Sequence, residues 1–220
     1  MIRVAVAGAA GKMGRALILI QAIDAADELT LGAAFEHAQS PALGQDAGVL
    51  AAVRGCGVAV GEDVVAAIDS FDVVIDFTVP EATLALAQAC AQNNKAMVIG
   101  TTGFSEQQLQ ILHSYQDKMA IFTSPNMSVG VNLMLQLVAR AAQALGDSVD
   151  VEVIEAHHKD KVDAPSGTAV RIGEVLAGAL GRDLSKDAVY GRQGITGARE
   201  RSTIGLSLIH ISEPTRHASI

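Results

Sequence analysis

Short β-branched runs alternate with helical stretches along the first half of the chain. Ile2–Ala7 reads as a strand and is followed by a helix over residues 11–23; Leu29–Phe35 is a second strand. Residues 58–60 predict a short third strand, followed by a helix over 62–69 and a strand over 72–77. Pro80–Gln92 predicts a helix with its proline in the first turn. A strand over 96–100, a helix over 105–116 and a strand over 120–123 complete the series. Strands alternating with helices of about a dozen residues imply βαβ units and a parallel sheet with helices on both faces.

From Asn126 the rhythm changes. A long helix, Val129–Leu145, leads into an unusually long strand over 150–157, then a polar loop and a helix over 166–180. This marks a second, smaller α+β domain. The expected division is 1–127 for the doubly wound domain and 128–205 for the second, with Pro125 and Gly130 as hinge material between them. No internal repeat or low-complexity segment is evident.

Composition sharpens this picture. Half of the 220 residues are hydrophobic, but only 3% are aromatic and none is Trp. The apolar content is therefore Ala, Val, Ile and Leu, which suits helices packed on a parallel sheet. A net charge of −8 without a Lys/Arg-rich run argues against a nucleic-acid partner. It leaves room for an anionic small substrate in a local cationic pocket. Cys56 and Cys90 stand far apart with no metal-ligand spacing, which suits two reduced thiols in a cytoplasmic protein. Met1 runs directly into a strand rather than a signal sequence. Residues 119–139 lack charge but contain Ser124, Pro125, Asn126 and Gly130, so no membrane span is expected.

Gly8-Ala9-Ala10-Gly11-Lys12-Met13-Gly14 follows the first strand and opens a helix. One glycine serves the tight turn, another lets backbone approach a pyrophosphate, and the third permits close helix–strand packing. The helix N-terminus then offers N–H groups and positive dipole to phosphate. Glu36 ends the second strand about twenty residues further on, where a carboxylate accepts hydrogen bonds from an adenosine ribose. These features point to a Rossmann-type dinucleotide site. His37 stands where a cation would meet the extra phosphate of NADPH, and a neutral imidazole does this less well than Arg, so the balance tips slightly to NADH. Gly100-Thr101-Thr102-Gly103 and Ser124-Pro125-Asn126-Met127 close two later strands, at the sheet end where ligands of such folds bind; both stretches would equally serve as plain turns.

The densest chemistry lies in residues 155–169, EAHHKDKVDAPSGTA. His157, His158, Lys159 and Lys161 gather proton donors and cations at a strand end. Ser166-Gly167-Thr168 forms a helix N-terminus suited to an anion. Together they could bind a carboxylate-bearing substrate and protonate it. Adjacent histidines in a strand face opposite ways, so His157 and His158 meet one atom only if the strand has ended. No further ligands at suitable spacing suggest a metal, and Lys159 with Asp160 is most simply a solvated turn.

The stretches GAAGKMG (8–14), FTVPEAT (77–83), VIGTTGF (98–104), SPNMSVGVN (124–132) and EAHHKDKVDAPSGTA resemble the dihydrodipicolinate reductase family, in the family's order, from Ile2 to about Gly205. The resemblance implies a cofactor domain and a smaller mixed sheet that binds substrate and builds a homotetramer. It implies reduction of a cyclic dicarboxylate imine by NADH or NADPH, on the route to lysine and diaminopimelate. It also implies that His157 donates the proton after hydride arrives and that Lys161 is the second catalytic group, while His158, Gly167 and Thr168 grip carboxylate. Gly8 to Met13, Glu36, His37, Gly100 to Thr102 and Ser124 to Met127 become the cofactor contacts. The chain departs from the family at His37 and Val79, where some members carry Arg. It departs again from Leu206 onward, where SLIHISEPTRHASI reads as a non-family tail over 206–220 that leaves the second domain incomplete. Rival readings are another dehydrogenase of amino-acid-derived substrates, a non-catalytic nicotinamide sensor, and an inactive fragment.

Overall fold

The computed structural model describes residues 1–16, 22–23, 26–159, 161 and 164–211, the last two without their side chains. It divides into two compact units, Met1–Pro125 and Asn126–Ile220.

The first unit is built on six parallel strands: β1 (Ile2–Ala7), β2 (Leu29–Phe35), β3 (Val60–Gly61), β4 (Val73–Asp76), β5 (Ala96–Ile99) and β6 (Ile121–Thr123). Their order is β3-β2-β1-β4-β5-β6. The chain moves outward from β1 on one side and then restarts at β4 on the other, which leaves a crevice beyond the carboxyl ends of β1 and β4. Side chains of β1 alternate between two cores. Ala5 and Ala7 join Phe35, Phe71, Val74, Leu86, Met97 and Ile99 on one face. Val4 and Val6 join Ala9, Ala34 and Val60 on the other. Burial on both faces is what a parallel sheet demands, and each large apolar side chain so buried contributes about 1.5–3 kcal/mol.

The unit's helices include α1 (Lys12–Arg15), α2 (Ala47–Leu50), α3 (Pro80–Gln92) and α4 (Glu106–His113). The helix expected over 11–23 is seen as its first turn, α1, and most of the remainder lies outside the described residues. Pro80 occupies the first turn of α3, and Ser105 and Gln108 form a reciprocal capping box on α4. The helix expected over 62–69 is instead a run of turns ending in a 3₁₀ turn at Ile68–Ser70. The Asp63 carboxylate accepts the N–H groups of Val65 and Ala66 at 2.9 and 3.0 Å. That local bond competes with helical pairing in a segment too short to repay helix nucleation.

The second unit contains α5 (Val129–Leu145), β7 (Val151–His158), α6 (Gly167–Leu180), α7 (Leu184–Asp187), β8 (Ala188–Val189) and β9 (Ile204–Ile211). Its three strands are parallel in the order β7-β9-β8, with β7 and β9 paired from Val151↔Ile204 to His158↔Ile211. Val151 and Val153 pack with Ala142, Ala169, Leu176, Ala177, Ile204 and Leu206. The segment from Leu206, read from sequence as a foreign tail, therefore enters the fold up to Ile211. Ile204, Leu206 and Leu208 alternate with Gly205, Ser207 and Ile209, and this period of two sends Leu206 into the core at 3% exposure. Residues 212–220 lie outside the described residues. Among the described residues no helix is long and apolar enough to cross a membrane.

Candidate active site

In the first unit the site begins where β1 ends. Gly8 has φ +69°, a left-handed conformation that other residues adopt only with strain. Its carbonyl accepts the Gly11 N–H at 2.9 Å, closing a tight turn. Gly14, on α1, lies so close to this turn that a Cβ there would collide with the Gly8 carbonyl and come within 2.7 Å of the Ala9 Cα. The first and last glycines thus have distinct duties, one of conformation and one of packing. Lys12 and Met13, between them, are exposed.

Glu36 follows β2 and is tied to this turn. One carboxylate oxygen accepts the Ala10 N–H at 2.9 Å, and its own N–H donates to the Gly61 carbonyl at 2.9 Å. The Glu36 side chain is 10% exposed, whereas that of His37 is 65% exposed, with its Nε2 3.9 Å from the second Glu36 oxygen. The carboxylate and the glycine turn border a cavity of about 530 Å³. Its apolar wall consists of Val64, Val65, Val79, Ala82, Ala85 and Leu86. Among the described residues no Lys or Arg lines it. A slot with the Glu36 carboxylate beside a glycine turn, and Glu62 also in its lining, fits an adenosine beside a pyrophosphate.

Asp76, the last residue of β4, organises the neighbouring loops. Fully buried, it accepts the Thr78 N–H at 3.0 Å and the Thr78 hydroxyl at 2.6 Å. It also accepts the Thr83 hydroxyl in a short bond and the Thr101 hydroxyl at 3.3 Å. Its carbonyl receives the Gly100 N–H at 2.8 Å. A buried carboxylate without such donors would be strongly destabilising, and these satisfy it. Thr78, which lines the cavity, and the buried Thr101 are thereby held in place. Thr102 is exposed beyond them. Ser124 donates its N–H to the Ile99 carbonyl at 3.1 Å, and Pro125 ends the unit exposed.

The second unit opens with Asn126 and Met127, both half-buried; the Asn126 side-chain oxygen accepts the Ser128 N–H at 2.9 Å and starts α5. The chemistry sits at the end of β7. The strand keeps its alternation through His158, so Glu155 and His157 share the face of Val151 and Val153, and His158 lies on the opposite, exposed face. The structure therefore does not bring the two histidines to one point. Glu155 Oε2 is 3.5 Å from His157 Nδ1, with side chains 12% and 29% exposed respectively. The other Glu155 oxygen accepts the Ser166 N–H at 2.7 Å. Ser166 caps α6 by accepting the Ala169 N–H at 3.1 Å. Gly167 and Thr168 begin that helix, and a Cβ on Gly167 would meet open space. Their N–H groups are the outermost of the helix, oriented for an anion. Lys159 is exposed and Lys161 half-buried, its N–H donating to the His158 carbonyl at 3.2 Å. Among the described residues no group of three His, Cys, Asp or Glu side chains could hold a metal.

Several of these residues escape sequence reasoning. Val64 and Val65 reach the cavity wall only because 62–69 is not helical. Asp76 carries one signal in sequence, an acid ending an otherwise apolar strand. Glu155 carries another, an acid at the two-residue spacing from a histidine.

The comparisons with known proteins come to bear on this geometry. A family profile described as dihydrodipicolinate reductase, N-terminus, matches residues 2–127, and one described as dihydrodipicolinate reductase, C-terminus, matches residues 130–220. The chain is 50% identical over 213 residues to the 4-hydroxy-tetrahydrodipicolinate reductase of Hahella chejuensis (strain KCTC 2396), covering 97% of this chain and 79% of that protein. Its identity to the protein of the same name from Alkalilimnicola ehrlichii is 52% over 211 residues, covering 96% and 78%. Among solved structures, dipicolinate-bound dihydrodipicolinate reductase from Paenisporosarcina sp. TG-14 superposes with a TM-score of 0.71 at 28% identity, covering 96% of this chain and 79% of that one. An amine dehydrogenase from Mycobacterium smegmatis shares the fold alone, with a TM-score of 0.56 at 16% identity over 80% and 61% of the two chains.

Proposed function

Because the chain belongs to the dihydrodipicolinate reductase family, we propose that it reduces 4-hydroxy-tetrahydrodipicolinate to tetrahydrodipicolinate with a nicotinamide dinucleotide, the ring hydroxyl leaving as water. The observation that carries this reading in the chain's own residues is the pairing of His157 with the capped N-terminus of α6. Glu155 joins the two through the His157 ring and the Ser166 N–H. A proton donor fixed beside an anion-binding helix end suits a dicarboxylate ring that must be gripped and protonated.

When bound, the nicotinamide supplies the hydride. The chain's residues do the rest. The turn from Gly8 to Met13 receives the pyrophosphate at the start of α1, and Glu36 accepts the adenosine ribose hydroxyls. Val64, Val65 and Leu86 exclude water from the adenine. Gly100 to Thr102 and Ser124 to Met127 are assigned to the nicotinamide end. The Gly167 and Thr168 N–H groups hold a substrate carboxylate, and His158 is assigned to the same grip. His157 gives its proton to the ring after hydride arrives, and Lys161 is the second catalytic group. The domain limits 1–127 and 128–205 remain our assignment, as does a homotetramer.

NADH is favoured over NADPH. The Glu36 carboxylate would repel a 2′-phosphate, and among the described residues the cavity lining supplies no Lys or Arg to attract one. The test of the main reading is His157→Gln in the full chain. NADH oxidation with freshly generated substrate should fall by about two to four orders of magnitude while NADH affinity stays close to native. Equal loss of cofactor binding and turnover would refute the division of roles.

A further inference from the structure

We infer that Glu155 is a positioning residue, one carboxylate that aligns the proton donor His157 and the anion-binding end of α6 at the same time. The inference rests on the assignment of His157 as donor and extends it to a residue that does not touch substrate.

Glu155 and His157 stand two apart on one face of β7, so their side chains run side by side out of the apolar layer formed by Val151 and Val153. His157 Nδ1 is buried and takes no hydrogen bond among the described residues. The group facing it is Glu155 Oε2 at 3.5 Å, within reach of an ion pair with a protonated ring. Glu155 Oε1 is engaged elsewhere, accepting the Ser166 N–H at 2.7 Å. Ser166 in turn caps α6 through its hydroxyl. The carboxylate thus fixes the distance between the ring and the two N–H groups proposed to hold the substrate carboxylate.

The chemistry follows from the two ring nitrogens. A proton donor must be imidazolium, with hydrogen on both nitrogens, and must give up one while keeping the other. A carboxylate opposite Nδ1 orients the ring and retains the Nδ1 hydrogen after transfer. The Nε2 proton is then the one delivered. Other charged or titratable groups on the described residues of this element are His158 on the opposite face of β7 and Lys159 and Lys161 beyond it. Of the described groups packed on the inner face, Glu155 is the one that also meets the α6 cap.

The experiment uses the full chain with Glu155→Gln. The amide keeps an oxygen for Ser166 and nearly the same volume, and it loses the charge. The expected result is a fall in kcat of about a hundredfold and a larger solvent deuterium isotope effect on kcat, as proton delivery becomes limiting. NADH affinity, dipicolinate affinity and melting temperature should stay near native. Glu155→Asp, which keeps the charge, should recover part of the lost kcat. The double variant Glu155→Gln/His157→Gln should be no slower than His157→Gln alone, because Glu155 acts through the ring.

An unchanged kcat in Glu155→Gln overturns the inference while leaving His157 in its role. Parallel loss of dipicolinate affinity, melting temperature and kcat in both Glu155 variants also overturns it, in favour of a merely structural acid. Native-like turnover by His157→Gln defeats the underlying assignment itself.

Discussion

Replacing Glu36 by Gln tests the cofactor site through a single charge. The substitution keeps the volume and an oxygen for the Ala10 N–H, now accepted at 2.9 Å. The second oxygen is the proposed partner of the ribose. A hydrogen bond to a charged acceptor contributes about 1.5–3 kcal/mol, and a neutral amide preserves about half of that. NADH binding should therefore weaken by about 1 kcal/mol, roughly fivefold. NADPH responds in the opposite sense. A phosphate charge about 5 Å from the carboxylate, at an effective dielectric near 20, is repelled by about 3 kcal/mol. The mouth of the cavity is open enough for His37 to be 65% exposed, and solvent and salt reduce the repulsion to about 1.5–2 kcal/mol. Removing the charge returns that energy to NADPH, a gain of about ten- to thirtyfold. The ratio of the two dissociation constants should thus shift by about two orders of magnitude. Fluorescence titration with both dinucleotides, at low salt and near 0.5 M salt, measures it; the native preference should shrink at high salt. Equal affinity of the native chain for NADH and NADPH, or a ratio unmoved by Glu36→Gln, would refute the reasoning.

Gly14→Ala should destabilise the first unit by about 1–3 kcal/mol in a denaturant titration and weaken NADH, because its Cβ meets backbone that cannot yield. The side-chain hydrogen bond from Arg3 holds the Asp72 carboxyl down to about 2. That value lies below the ordinary one near 4, so the pair's stabilisation is present above about pH 4 and is lost as pH falls through about 2. Asp72→Asn should therefore flatten the melting temperature between pH 2 and 4 relative to native; an unchanged slope would dismiss the pair as irrelevant. Burial pushes the Cys90 thiol up to about 12, while Cys56 is exposed. A disulfide exchange reagent at pH 8 should react quickly with one thiol in the native chain and with the second only on unfolding.

Local rules carry the cofactor side of the site into the sequence. β1, the glycine turn and Glu36 can be read there because strand alternation, turn geometry and helix packing each dictate residue type within a few positions. The apolar wall could not be read in the same way, since a bond from Asp63 to its neighbours turns an expected helix into turns and carries Val64 and Val65 to the cavity. At β7 the alternation of His157 and His158 was legible, but where the strand ends depends on its pairing with β9. Leu206 belongs to that partner strand, and its period of two signalled a strand more strongly than its unfamiliarity signalled a tail. The role of Glu155 depends on Ser166, eleven residues further on, a contact that neither residue announces.

Asp76 has a consequence for how such a chain can change. Its charge is sustained by hydroxyls and backbone drawn from the end of β4, from α3 and from the loop after β5. A valine at position 78, 83 or 101 removes one hydroxyl donor from this buried carboxylate. An apolar residue at 76 takes from the Thr78, Thr83 and Thr101 hydroxyls the acceptor they share, leaving Thr83 the Val79 carbonyl and Thr101. Each single step is therefore worse than the combined one, and the intermediates are the obstacle. A change that reshapes this crevice for another ligand meets less resistance at the exposed side chains of Val79 and His37 than at positions 76, 78, 83 and 101.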